Sequence, residues 1–392
     1  MRILAVAPQP FFTSRGTPLS VYYRSLVMAE QGATVDLLTY GVGKDIDVPG
    51  VRVVRIPRVR LLEPIPIGPS WRKLLLDVLM FFWTLGLLLR HRYQAVDAHE
   101  ESVFWCRVLK PLFGFKLIYD MHSSLPQQLI NFKFTTSRLL IGTFKLLEDI
   151  SLHASDVVIA VCPDLFRYAT ESDAPPERVM LIENSLFEEV RVRLPADDAA
   201  PGVGHQPVDF RPGHPVILYA GTFEVYQGVD RLIRAFAMVL ARRPEARLLL
   251  VGGNPEQVQK MKELATGLGL GDACVFTGHV TRKVASDYTK RATVLVSPRV
   301  YGTNTPLKIY EQLASGHPLV ATRIWSHTQV LDDTVCRLVE PTPEGLADGL
   351  MATLEDPADA ATRAGNAMEL YQRRYARPIY EQKIRRVFEL IS

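Results

Sequence analysis

The stretch Ser297–Thr322, SPRVYGTNTPLKIYEQLASGHPLVAT, constrains the fold more than any other part of the chain. It reads as strand, irregular turn, helix, glycine stop and strand. The preceding apolar run Ala292–Ser297 suits a buried strand. Gly302-Thr303-Asn304-Thr305-Pro306 is turn chemistry, with Thr305 placed to cap a helix and Pro306 suited to its first position. Leu307 to Ala314 is predicted helical, and Gly316 sits where a helix stops. Pro318–Thr322 then resumes extended structure. Such a turn sets free backbone N–H groups at a helix N-terminus, beside a strand's carboxyl end, which suits an anion such as a diphosphate. Lys308 falls in the first helical turn, and Glu311 follows three residues later on the same face. A cation near phosphates and a carboxylate accepting from ribose hydroxyls fit a nucleotide-sugar pocket. An ordinary βαβ crossover with a solvated Lys and Glu has the same local pattern.

The rest of the chain bounds this reading. With 392 residues, 47% of them hydrophobic and 22% charged, two globular domains are expected. The net charge of +3 is only mildly basic. That is well short of a nucleic-acid footprint and compatible with anionic substrates or an anionic membrane surface. The four cysteines, Cys106, Cys162, Cys274 and Cys336, form no CxxC pair. They read as buried free thiols of a reducing compartment rather than disulfides or a metal site. The N-terminus MRILAVAPQP reads as a first strand, its apolar run being short for a signal peptide.

Leu74–Leu89, LLLDVLMFFWTLGLLL, is almost wholly apolar and lies between Arg72-Lys73 and Arg90-His91-Arg92. It falls short of the roughly 20 residues that span a bilayer. Two readings stand: a buried helix covering a sheet, or a surface helix dipping into a membrane with its basic flanks on lipid headgroups. The loop Leu61–Pro69 is proline-rich and fits the same surface.

The N-terminal half alternates strands and helices. Strands are predicted at 2–7, 34–40, 51–56, 95–99, 115–120, 157–161 and 179–182. Helices are predicted at 19–31, 70–90, 101–113 and 135–152. Ala196–Gln206, rich in Ala, Asp, Gly and Pro, is the best linker. Alternation restarts with strands at 216–220, 246–251 and 274–276. The helices of this half are predicted at 229–242, 256–268, 281–291, 343–355 and 358–372. A final helix is expected at 377–391. This order implies two doubly wound α/β domains with parallel sheets, whose ligands bind at the strands' carboxyl edges. The expected division is 1–190, a linker at 191–213, 214–372, and a C-terminal helical segment at 373–392 crossing back to the first domain.

Four segments in order carry a family likeness: Leu218–Phe236, Leu250–Gly253, Val275–His279 and Ser297–Thr322. Together they resemble the GT4 family of retaining glycosyltransferases, whose GT-B architecture sets two Rossmann-like domains across a cleft. The likeness covers nearly the whole chain. It implies sugar transfer from a UDP- or GDP-sugar held by the C-terminal domain to a glycan or lipid-linked acceptor held by the N-terminal domain. Polysaccharide or glycolipid synthesis is the implied setting, at a cytoplasmic location; an amphiphilic acceptor would also explain the apolar segment within 72–92 as peripheral contact at the inner face of a membrane. No bound cofactor or metal is implied, the nucleotide sugar being a co-substrate.

Carried over residue by residue, the resemblance assigns Glu311 to the donor ribose. The family's first glutamate falls at Thr303, so Thr303, Asn304 and Thr305 would contact the sugar instead. The family's diphosphate-binding Arg and Lys fall at Thr222 and Gln227, so Arg299 and Lys308 are expected to compensate, with Pro306 and Leu307 at the helix start. Gly221, Gly252, Gly253, Gly278 and His279 would surround the nucleotide. Gly16, in the first strand–helix turn, would let backbone approach the phosphates or acceptor. His122, after the strand ending Asp120, is the candidate for contact with the transferring sugar or for taking a proton from the attacking hydroxyl. His99, which also follows a strand, either lines the same cleft or is an ordinary buried histidine, the latter favoured, and Glu183-Asn184-Ser185 reads as a segment near the cleft or hinge. Gly252-Gly253 makes no GxGxxG pattern, which disfavours a dinucleotide enzyme. Two other classes share the architecture: a nucleotide-sugar 2-epimerase and a non-catalytic nucleotide-sugar-binding partner.

Overall fold

The computed structural model describes residues 1–13, 16–65, 70–124, 126, 137–172, 174–183 and 213–392. The chain divides into two compact units, Met1–Arg193 with Arg377–Ser392, and Leu194–Ala376.

The first unit begins β1 (Arg2–Ala7), α1 (Gly16–Glu30), β2 (Thr34–Thr39), β3 (Val51–Arg55) and α2 (Trp71–Arg90). It continues β4 (Ala95–His99), α3 (Val103–Phe113), β5 (Lys116–Met121), α4 (Arg138–Ala154), β6 (Val157–Ala160), α5 (Pro163–Glu171) and β7 (Val179–Leu181). The strands pair in parallel in the order β3-β2-β1-β4-β5-β6-β7. β4 and β6 are buried along their whole length, as strands covered on both faces must be. The order reverses between β1 and β4, so the switch point lies at their carboxyl ends. The core on one side of the sheet joins Leu4, Val96, Leu117 and Val158 to Leu76, Met80, Cys106 and Leu152 from α2, α3 and α4. Ser70 starts α2 by accepting from the Lys73 N–H at 3.2 Å.

The second unit begins β8 (Val216–Ala220), α6 (Val229–Arg242), β9 (Arg247–Val251), α7 (Pro255–Gly267), β10 (Cys274–Gly278), α8 (Arg282–Arg291) and β11 (Val294–Ser297). α9 (Leu307–Ala314), β12 (Leu319–Thr322), α10 (Trp325–Thr328), β13 (Arg337–Val339), α11 (Pro343–Glu355) and α12 (Pro357–Arg374) complete it. Its parallel order is β10-β9-β8-β11-β12-β13, with the switch between β8 and β11. Asn254 opens α7 with a reciprocal capping box to Gln257, as its sequence of Asn, Pro and a later Gln dictates. The last helix, α13 (Arg377–Ile391), belongs to the first unit and buries Tyr380, Ile384, Val387 and Ile391 there.

Several expectations need correcting. The C-terminal boundary falls between Ala376 and Arg377, because α12 runs unbroken through 373 to Arg374. Short α5, α10 and β13 are additional; each has too few residues to show a period in the sequence. Helix 101–113 starts instead with a 3-10 turn at Glu100–Ser102. Of the expected linker 191–213 only Gly213 is described, and positions 135 and 136 of the expected helix 135–152 lie outside the described residues, as do Ser14, Arg15 and 66–69. All four cysteines are buried and free.

Candidate active site

In the second unit the carboxyl ends of β8, β9, β10 and β11 share one edge, and the glycines there let the turns nest. Gly252 donates its N–H to the Gly278 carbonyl at 2.9 Å. With φ at 111°, a side chain at 252 would meet the Gly221 carbonyl at 2.1 Å, so only glycine fits between the first two strand ends. Gly253 rests on the Phe223 ring, and the Thr222 carbonyl accepts from the Tyr219 hydroxyl at 2.6 Å. His279 and Thr222 are exposed at this edge.

Two cations stand beside the β8–β11 switch point. Arg299 donates through Nε to the Tyr301 carbonyl at 2.9 Å and through Nη1 to the Asn304 carbonyl at 3.1 Å. Its guanidinium lies 5.2 Å from the Tyr226 ring centroid. Lys308 Nζ donates to Gln227 Oε1 at 3.1 Å and sits 4.3 Å from the Tyr219 ring centroid. Burial, with the nearby Arg299 charge, pushes the Lys308 amine down to about 7, and burial lowers Arg299 as well. The chain thus carries Lys308 to Gln227, the position at which the resemblance placed a lysine.

The helix start differs from the expectation. Pro306 is the N-cap of α9, and the helix begins at Leu307 with no side-chain cap. Thr305 does not cap: its Oγ1 is buried and makes no hydrogen bond among the described residues. The first N–H groups of α9, the Thr305 hydroxyl and two cations therefore come together at one sheet edge. Glu311 is exposed on α9 and pairs with Arg282 of α8 at 2.7 Å. Thr303 is exposed, and its carbonyl accepts from Gln329. Behind the site, buried His327 sits 3.1 Å from both Ser297 Oγ and Thr322 Oγ1, and the Thr322 hydroxyl also donates to the Arg299 carbonyl. His327 and Arg282 escaped the sequence reading; Ser297 and Glu311, the partners that tie them to the site, are 30 and 29 residues away.

In the first unit, β4 and β5 end side by side, and their register sets His99 opposite Asp120. His99 Nδ1 lies 3.0 Å from His122 Nε2, with the rings stacked, and His99 Nε2 lies 3.2 Å from Asp97 Oδ2. Arg24 of α1, fully buried, holds Asp120 at 3.1 Å and lies 5.5 Å from the Tyr380 ring centroid. Burial alone would lower His99, but Asp97 and Asp120 outweigh it and raise its pKa. Burial pushes His122 down to about 4; Asp120 opposes this, while His99 and Arg24 reinforce it. With His99 raised and His122 lowered, a proton shared across the 3.0 Å contact between His99 Nδ1 and His122 Nε2 favours His99. His99, for which the sequence left open a place beside His122, is part of this chain of groups. His99, Asp120 and His122 offer ligand atoms within 4.8 Å of one another, a grouping the sequence reading did not find. The Arg24 cation already neutralises Asp120, and the 3.0 Å between the imidazoles is a hydrogen-bond distance, so the donor set suits a proton rather than a metal ion. Gly16 is exposed as the first residue of α1, and its carbonyl accepts from Ser20 at 3.1 Å. Glu183 pairs with Lys383 of α13 at 2.7 Å, while Asn184 and Ser185 lie outside the described residues.

Comparison with known proteins accounts for both units. Residues 22–185 match the family described as glycosyl transferase 4-like domain, and residues 214–356 match that of glycosyl transferases group 1. The D-inositol 3-phosphate glycosyltransferase of Kribbella flavida is 30% identical over 206 residues, 50% of this chain and 47% of the relative. The chain thus matches about half the length of that relative. The structure of sucrose-phosphate synthase from Thermosynechococcus elongatus superposes with a TM-score of 0.74 at 21% identity, covering 99% of this chain and 98% of that one. Anabaena HepE in complex with UDP gives 0.72 at 15% identity, with 99% and 100% covered. The chain belongs to the GT4-type glycosyltransferases, and its two Rossmann-like parallel-sheet units are those of the GT-B fold.

Proposed function

We propose that the chain transfers a sugar from a nucleotide-sugar donor to a hydroxyl of a glycan, polyol or lipid-linked acceptor, with retention of anomeric configuration. The observation carrying this reading is the meeting of Lys308, Arg299, the Thr305 hydroxyl and the α9 N-terminus at the β8–β11 switch point. A leaving diphosphate gains negative charge as the bond from sugar C1 to phosphate oxygen breaks. Donors already fixed around that charge stabilise the transition state more than the ground state. The acceptor oxygen bonds C1 on the same face, and its proton passes to the departing phosphate. Glu311 accepts from the donor ribose, exchanging its exposed contact with Arg282 for a hydroxyl. In the first unit, His122 is assigned to the acceptor side, with His99 Nδ1 3.0 Å from its Nε2. Support for the donor class comes from the UDP bound in HepE, and for a polyol-type acceptor from the name of the Kribbella relative.

The test is turnover of UDP- and GDP-sugars with polyol and lipid-linked acceptors. Lys308→Ala should lower kcat about 100-fold or more, the usual range for loss of a group on developing charge. Glu311→Ala should chiefly raise KM, with circular dichroism unchanged in both. Full activity in either variant rejects the role given to that residue. A sugar inverted at a ring carbon without acceptor would point to the epimerase.

A further inference from the structure

Among the described residues no helix is long and apolar enough to cross a membrane. α2 nevertheless carries apolar side chains on two opposite sides. At about 100° per residue, Leu76, Met80, Thr84 and Leu87 line the buried side. Trp71, Leu74, Val78, Phe82 and Leu89 line the other and are 61%, 65%, 49%, 58% and 71% exposed. A surface helix of a globular protein ordinarily shows water a polar face. Here the outer stripe runs about 27 Å, eighteen steps of about 1.5 Å. The one acidic residue of α2, Asp77, is turned inward to the Tyr40 hydroxyl, so no carboxylate of the helix interrupts the stripe. Val108 and Leu112 of α3, which packs on α2, are exposed too, as are Leu139 and Leu146 of α4, which packs on α3.

Both ends of the stripe are basic. Arg72 lies in the first turn, Arg90 is the last residue of the helix, and Arg92 follows just beyond its C-cap His91. Arg72 also donates to the Pro64 carbonyl at 3.1 Å. That bond holds Pro64 at the start of α2; upstream, Arg60 and Leu61 are exposed, the latter 85%. An apolar strip with cations at both ends complements an anionic bilayer, which offers negative headgroups above an apolar acyl boundary. A second copy complements it poorly, because antiparallel pairing of α2 with itself sets basic end against basic end. We propose that the outer face of α2 lies in the plane of an anionic phospholipid bilayer, with Trp71, Leu74, Val78, Phe82 and Leu89 at the acyl boundary and Arg72, Arg90 and Arg92 on phosphates. This stands independently of the sugar-transfer reading and is tested without turnover.

The intact chain is sedimented with vesicles of phosphatidylglycerol and phosphatidylcholine, and with phosphatidylcholine alone. Wild type should partition onto the anionic vesicles, and less so as salt rises. Phe82→Glu with Leu89→Glu should lower the partition coefficient about tenfold or more, with the melting temperature unchanged since both side chains are exposed. Arg90→Glu with Arg92→Glu should lose binding to anionic vesicles by a similar factor, at about fivefold for each basic residue. Wild type left in the supernatant overturns the proposal, as does a Phe82→Glu, Leu89→Glu variant that sediments unchanged. A wild-type dimer split by those two substitutions, with no vesicle binding, assigns the face to a second copy and overturns it as well.

Discussion

Lys308 holds its amine where water is scarce and another cation is near, which is why its pKa falls to about 7 from the ordinary 10.5. A diphosphate restores the charged form. Above about pH 7 the free amine dominates in the empty protein, so nucleotide binding at pH 8 should take up a proton, and at pH 6 almost none. Titration calorimetry of UDP in buffers of different ionisation heat measures this directly, and Lys308→Ala should abolish the uptake. Uptake that survives the substitution would assign the proton elsewhere. The linkage to stability has the same origin. The unfolded chain binds more protons than the folded one between about 7 and 10.5, so Lys308 makes the empty protein more stable as pH rises through that window. Lys308 and Arg299 were legible in the sequence because both sit within one short motif. The grouping of His99, Asp97 and Arg24 was not. Their meeting with Asp120 and His122 depends on strand register and on α1 crossing the sheet, and no local spacing records either.

At the scale of elements, the turn before α9 works because Gly302 leaves room for the Arg299 guanidinium. With φ at 148°, a Cβ at 302 would lie 2.2 Å from Arg299 Nη2. Gly302→Ala should therefore push the guanidinium off the Tyr301 and Asn304 carbonyls. Backbone strain should cost about 1–2 kcal/mol of stability. Loss of a charge-assisted contact should weaken UDP about tenfold. Calorimetric titration beside a thermal melt reads both, and an unchanged affinity would remove Arg299 from the phosphate site. The sequence announced this turn through its Gly, Asn and Pro, yet misplaced the cap. Thr305 has the chemistry of a cap, but the backbone enters the helix one residue later. For α2 the sequence left two readings because periodicity needs contrast between faces, and a helix apolar on both sides offers none. Only the buried set Leu76, Met80, Thr84, Leu87 and Leu88 separates the inner face from the outer.

At the scale of the whole molecule, alternating strands and helices were enough to predict two parallel sheets, since each apolar run reads as a strand covered on both faces. The exact place where the chain changes unit was not legible, because α12 and α13 differ little in composition and are parted only by Tyr375 and Ala376. A chain ending at Ala376 lacks Tyr380, Ile384, Val387 and Ile391, all buried in the first unit, at about 1.5–3 kcal/mol for each large apolar side chain. It also lacks the Lys383 partner of Glu183. Its first unit should melt well below that of the full chain while UDP affinity is retained, as calorimetry of the two chains would show. Unchanged melting would mean that α13 contributes nothing to that core. The placement of α13 also sets a timetable for the growing polypeptide. The ribosome releases the early strands, then 183 further residues from Leu194 through Ala376, before the segment that closes over Arg24 emerges. At about 5–20 residues per second, that interval is about 10–40 s. Throughout it the newborn N-terminal half must stay open at the flank that will later hold Tyr380, which makes that flank a natural landing place for a chaperone.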